Sequence, residues 1–168
     1  MTITIPDPVL VLLIGPAGAG KSTFAHEHFR AVEIVSSDYL RGLLSNDPAD
    51  QGASAEAFRI LALLLEGRLK RGLTTVLDAT SLRAENRARY RAIAARHGIP
   101  VVAVAFDLPL QTYHDRNRNR AGRVVEDAVV DWQVEQMERT LGVLPGEGYA
   151  ALHILRDGAE VTLERPSA

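Results

Sequence analysis

The chain has 168 residues, 46% of them hydrophobic, a size and composition that fit a single domain over residues 1–168 with a sizeable core and no room for a second catalytic module. A net charge of −2 argues against a protein that coats long stretches of nucleic acid, and the absence of cysteine excludes disulfides and thiolate metal sites. Met1 to Asp7 lacks the basic lead and apolar core of a signal peptide, and no apolar run approaches the length of a membrane span, so the sequence reads as cytoplasmic and soluble, with no membrane partner.

In chain order, Val9 to Ile14 comes first, six apolar residues that read as a strand buried on both faces. It leads into Gly15-Pro16-Ala17-Gly18-Ala19-Gly20-Lys21-Ser22-Thr23, in which two glycines bracket four residues and are followed by Lys and a hydroxyl residue. Ser22 to Arg30 continues as a helix, so the glycine loop falls where strand becomes helix. Backbone N–H groups of such a loop turn inward on a polyphosphate, the helix N-terminus adds positive dipole, and the Lys21 ammonium reaches the outer phosphates. Ser22 is the expected magnesium ligand.

Val32 to Ser37 reads as a second strand, followed by Asp38. Ala53 to Arg71 reads as an amphipathic helix capped by Ser54, with Phe58, Leu61, Leu64 and Leu65 at helical spacing and Gly72 as its terminator. Thr74 to Leu77 is a third strand ending at Asp78. Ala84 to His97 is helical, with Tyr90, Ile93, Ala94 and His97 on one face, while Arg83, Arg87 and Arg91 share a face that reads as solvated. Ile99 to Phe106 is a fourth strand, and Pro109 opens a helix that runs into an arginine-rich stretch. Glu126 to Leu141 is helical, burying either Val129, Trp132, Gln136 and Met137 or Val130, Val134, Met137 and Leu141. Tyr149 to Arg156 is a fifth strand. Asp157-Gly158 before the alternating Val161 and Leu163 is a hairpin signal that predicts a short antiparallel strand near the C-terminus. Apolar strands alternating with helices predict an α/β fold, a mainly five-stranded parallel sheet covered on both faces with right-handed crossovers.

In open parallel sheets the ligand lies beyond the carboxyl ends of the strands, which gathers the glycine loop, Asp38 and Asp78. Phosphoryl transfer needs a phosphate cradle, a metal, a group that orients the attacking oxygen, and cations around the migrating phosphoryl. Asp38 is the candidate base; its alternative role is the N-cap of Tyr39 to Leu44. Arg41, one helical turn later, would hold a phosphate of the acceptor by a bidentate contact, or else sit in solvent. Asp78 would bind the metal through water or orient Ser22; its alternative is a structural acceptor. Arg116, Arg120 and Arg123 recur at i, i+4 and i+7, a stripe that would close as a lid, about residues 116–130, over the polyphosphate, or pair with Glu126, Asp127 and Asp131. The loop near Arg156 to Gly158 would form a wall for a base. His26, His28, His97, His114 and His153 show no metal-site spacing. No aromatic-interleaved basic stretch is present, so a polynucleotide acceptor would be recognised at its end rather than by its sequence.

Gly15 to Thr23, Val35-Ser36-Ser37-Asp38-Tyr39-Leu40-Arg41-Gly42-Leu43, Val76 to Thr80 and Arg116-Asn117-Arg118-Asn119-Arg120 together resemble the kinase domain of bacterial polynucleotide kinase-phosphatase, over essentially the whole chain. The resemblance implies a P-loop kinase-like three-layer sandwich that moves the γ-phosphate of ATP, with magnesium, to the 5′-OH end of RNA or DNA in nucleic-acid repair. It implies that Gly15, Pro16, Ala17, Gly18, Ala19, Gly20, Lys21, Ser22 and Thr23 cradle the nucleotide, that Ser22 holds the metal and that Asp38 is the general base. Arg41 would contact the acceptor's phosphate, and Arg116, Arg120 and Arg123 would act from the lid. Ser81 departs from the Asn that related small kinases carry after the Asp-Ala-Thr run. Full-length relatives also carry phosphatase and ligase modules, whose motifs this chain lacks, so it resembles an excised domain or a stand-alone kinase. Two other readings use the same loop: a small-molecule kinase acting on a sugar acid or nucleoside, and a non-catalytic nucleotide-binding module.

Overall fold

The computed structural model describes residues 1–120, 123–157 and 160–165. The chain opens with β1 (Thr2–Thr4) and continues through β2 (Leu10–Ile14), α1 (Lys21–His28), β3 (Ile34–Ser36), α2 (Ser37–Ser45) and α3 (Ser54–Leu69). Next come β4 (Thr75–Asp78), α4 (Ala84–Arg96), β5 (Val101–Asp107), α5 (Leu110–Arg118), α6 (Asp127–Val143), β6 (Ala151–Arg156) and β7 (Thr162–Glu164).

Five strands form one sheet in the order β3-β4-β2-β5-β6, every pair parallel. β2 lies at its centre and is buried along its whole length. Its side chains alternate between two cores. Leu10, Leu12 and Ile14 pack with α3 and α4 through Leu61, Leu65, Ile93 and Ala94. Val9, Val11 and Leu13 pack with α1 and α5 through Phe24, Ala25 and Tyr113. Strict alternation between two apolar layers explains why the strand has no polar position. α6 joins both layers, Met137 entering one and Val130 the other.

The buried residues of α6 are Val130, Gln133, Met137 and Thr140, so the second of the two predicted faces is the buried one, while Trp132 is 47% exposed. On α3 the buried stripe is Ala57, Leu61, Leu65 and Leu69, and Leu64 faces outward. Gly72 ends that helix at φ 65, a left-handed geometry that glycine adopts without steric cost.

The short C-terminal strand exists, but among the described residues its pairing is not the predicted antiparallel one. β7 pairs in parallel with β1, in a two-stranded sheet of its own. The hairpin signal read only local turn chemistry, whereas Ile3 and Ile5 carry fully buried side chains that bring the N-terminal segment beside β7. Gly158, the turn residue of that signal, lies outside the described residues.

Arg87 is the other departure. It is 1% exposed instead of solvated, and its guanidinium pairs with Glu147 at 2.5 Å. Arg91 on the same face donates to the Glu147 carbonyl, while Arg83 stays exposed.

Candidate active site at the carboxyl ends of the strands

The glycine loop links β2 to α1. Its first amide, Gly15 N–H, donates to the Thr80 carbonyl at 3.0 Å, which ties the loop to the segment after β4. Gly18 and Gly20 sit at φ 79 and 89. At Gly18 a Cβ would lie 2.4 Å from the Tyr113 carbonyl, so this position requires glycine both for its backbone and for its close approach to α5. Ala17 N–H donates to Gln133 Oε1 at 2.7 Å, so α6 also holds the loop.

Lys21 opens α1 and is 8% exposed. Its ammonium donates to the carbonyls of Gly15 and Pro16 at 2.8 and 2.7 Å. Burial pulls its pKa down to about 8; Asp78 and Asp38 oppose that shift, and the positive charges of Arg120 and Arg123 add to it. The neighbourhood of Lys21 is thus short of negative charge, which a polyphosphate would supply.

Ser22 Oγ donates to Asp78 Oδ2 at 2.8 Å, so Asp78 orients the hydroxyl that follows the lysine. Both are hard oxygen donors of the kind magnesium takes. Asp38 is not an N-cap: Ser36 caps α2 by accepting from Tyr39 N–H at 3.3 Å, which leaves the Asp38 carboxylate in the first helical turn without that duty. Arg41, 4% exposed, donates to Asp38 Oδ1 and, through Nε, to the Pro48 carbonyl at 3.0 Å. Arg123 Nη1 reaches the same Asp38 oxygen at 3.1 Å. Asp38 is thereby held between two guanidiniums, and the arginine predicted to lie farthest along the stripe faces it.

Arg116 and Arg120 face a cavity of about 800 Å³ lined by Gly18 to Thr23, with Arg156 and Asp157 across from the loop. Arg116 pairs with Asp157 at 2.9 Å and Arg118 with Asp127 at 2.6 Å. Only Arg116 of the predicted stripe lies in α5; Arg120 and Arg123 follow the helix end. The segment that carries Arg123 is fixed by Asn117, fully buried, whose side chain donates to the Val125 carbonyl at 2.7 Å and accepts from Val125 N–H at 3.0 Å. Residues 121–122 of the predicted lid lie outside the described residues.

The structure therefore brings Lys21, Ser22, Asp78, Asp38, Arg41 and Arg123 into one constellation and places Arg116 and Arg120 along the adjoining cavity. Sequence reasoning missed Gln133, Asn117 and Arg87. A polar Gln within the buried stripe of α6 was a legible signal; Asn117, set between arginines, and Arg87, part of a regular charged series, were hidden by their neighbours. Among the described residues, no three His, Cys, Asp or Glu side chains gather into a metal site. Among the same residues no helix is long and apolar enough to cross a membrane.

The sequence model of the AAA domain family matches residues 10–142. Transcription factor bHLH140 of Arabidopsis thaliana is 29% identical over 114 residues, which cover 68% of this chain and 12% of that protein. A chain of the Pnkp1/Rnl/Hen1 RNA repair complex superposes with a TM-score of 0.68 at 20% identity over 82% of this chain and 46% of that one. The APS kinase CysC of Mycobacterium tuberculosis, solved with AMPPNP and APS, superposes with a TM-score of 0.57 at 22% identity, over 93% of this chain and 92% of that one. The two structural superpositions are likenesses of fold, and the chain spans less than half the length of both the bHLH140 protein and the RNA repair chain.

Proposed function

The chain belongs to the AAA domain family and has a P-loop kinase fold, and from that premise we propose that it is an ATP-dependent 5′-hydroxyl polynucleotide kinase. The observation that carries this reading is the Asp38–Arg41–Arg123 cluster beside the loop: a carboxylate held between cations at the carboxyl end of the sheet. A carboxylate there accepts the proton of an attacking hydroxyl, and Arg41, fixed by Pro48, keeps it aimed while presenting positive charge to an acceptor phosphate.

Lys21, released from the Gly15 and Pro16 carbonyls, contacts the outer phosphates of ATP, and the loop amides surround them. Ser22, oriented by Asp78, and Asp78 through water would hold magnesium, which would offset the negative charge of the phosphates when bound. Arg116 and Arg120 stabilise charge on the transferring group, and Asp157 with Arg156 walls the nucleobase end of the cavity. A module that binds nucleotide without transfer would leave Asp38 only its ion pairs with Arg41 and Arg123. The RNA repair chain supports a nucleic-acid acceptor and a linked repair assembly as partners, and the APS kinase supports a small-molecule acceptor on the same frame.

The test is an acceptor panel with Mg·ATP: a 5′-OH oligonucleotide, its 5′-phosphate twin, nucleosides, sugar acids and APS. We expect label on the 5′-OH strand alone. ADP formation confined to a small molecule would replace this reading with the small-molecule kinase.

A further inference from the structure

Two anchors of the active site lie within three residues of each other: Asp78, which accepts from Ser22, and Thr80, whose carbonyl accepts the Gly15 amide. The chain then turns sharply. Ser81 sits at φ 50, a left-handed geometry that a residue other than glycine holds only when its surroundings impose it, and its buried hydroxyl has no hydrogen-bond partner among the described residues. The Leu82 carbonyl accepts from Thr140 Oγ1 at 3.2 Å, and both carbonyls of the turn are held by Arg87. Its Nη1 donates to the Ser81 carbonyl at 3.0 Å and to the Leu82 carbonyl at 2.8 Å.

The other edge of this guanidinium is occupied as well. Nε donates to Glu147 Oε2 at 2.9 Å and Nη2 to Glu147 Oε1 at 2.5 Å, and Glu147 also accepts from the Tyr149 hydroxyl at 2.7 Å. Burying an ion pair costs more desolvation than filling the same space with apolar side chains, so the pair is not explained by stability. A planar fork that spans two carbonyls of a strained turn and two carboxylate oxygens performs a geometric task that apolar residues cannot perform.

We infer that Arg87 is a positioning residue for the nucleotide site: by clamping Ser81 and Leu82 it fixes the stretch 78–82, and through Thr80 and Asp78 it fixes the loop amide at Gly15 and the Ser22 hydroxyl. The inference rests on the nucleotide-binding reading of the loop proposed above. Loosening the clamp frees the two anchors together, so the damage falls on Mg·nucleotide binding and leaves acceptor recognition at Asp38 untouched.

Arg87→Met alone leaves the mostly covered Glu147 carboxylate without the Arg87 guanidinium and lowers Tm. Combining it with Glu147→Gln removes the charge and keeps an acceptor for Tyr149, which returns Tm toward the wild-type value. Calorimetric titration with Mg·ATP is expected to show about 10-fold weaker binding by the double variant, with a parallel rise in the magnesium needed for half-saturation, as for other residues that orient metal ligands. Arg87→Lys, which keeps the charge but not the fork, is expected to show the same loss, with amide exchange at Gly15 about 10-fold faster and exchange in β5 unchanged. Wild-type affinity and magnesium dependence in the double variant or in Arg87→Lys would reduce Arg87 to a core residue and overturn the inference. Absence of Mg·ATP binding by the wild-type protein would instead overturn the nucleotide reading, and the inference with it.

Discussion

At the scale of single residues, the site is a set of charges held in tension by burial and pairing. Lys21 shows it most directly: burial takes it from its ordinary 10.5 to about 8, and a bound polyphosphate restores a strong reason to be protonated. Between those two pH values the free protein has lost the proton and the complex holds it, so binding takes up protons and affinity falls as pH rises through the window. At pH 8 the expected uptake is about half a proton per Mg·ATP, vanishing near pH 6. Calorimetry in buffers of different ionisation enthalpy measures it, and no uptake at pH 8 would contradict the buried-lysine geometry. Asp38 supplies a second prediction. Asp38→Asn is expected to lower transfer about 10²-fold or more, because a positioned base contributes that much, while Mg·ATP affinity stays within a few-fold of wild type. Arg116→Ala and Arg120→Ala are each expected to lower transfer about 10-fold or more in a folded protein; unchanged rates in both would remove them from the reaction.

At the scale of elements, the glycine loop is positioned from three sides: β4 through Thr80, α6 through Gln133, and α5 through the contact at Gly18. Gly18→Ala is expected to force α5 away from the loop, lowering Tm and abolishing measurable Mg·ATP binding; an alanine variant with wild-type affinity would show that the close approach is dispensable. The residue after β7 is tied to the turn before β3 by Glu33, which accepts from Arg165 and from Arg30. Burial pushes its carboxyl up, yet the hydrogen bonds from Arg165 and Arg30 outweigh that and hold it at about 2. Its folded pKa lies below the ordinary 4.5, so its stabilisation is complete above pH 4.5 and is lost as pH falls toward 2. Glu33→Gln is expected to cost on the order of 3 kcal/mol at pH 7 and to flatten the acid limb of the stability curve, as read by denaturant titration at several pH values.

At the scale of the molecule, the layered architecture was legible because it rests on periodicity: six apolar residues before the glycine loop announce a strand with cores on both sides, and β2 serves two layers. The constellation around Lys21, Ser22 and Asp38 was legible because each residue follows a strand. What stayed hidden depends on contacts distant in sequence. Ile3 and Leu163 come together from opposite ends of the sequence to make the parallel β1–β7 pair, and Arg87 meets Glu147 only after the sheet has formed. Local turn chemistry and charge spacing carry no information about either. The substrate class turns on which oxygen the assembled site phosphorylates. Single-turnover transfer from γ-labelled Mg·ATP to a 5′-OH oligonucleotide, run on wild type and Asp38→Asn side by side, tests it most directly. Label is expected at the 5′ end of the wild-type product, with labelling by the variant slower by about 10²-fold or more; no label on the oligonucleotide, or equal rates for the two proteins, would rule out 5′-OH transfer with Asp38 as base.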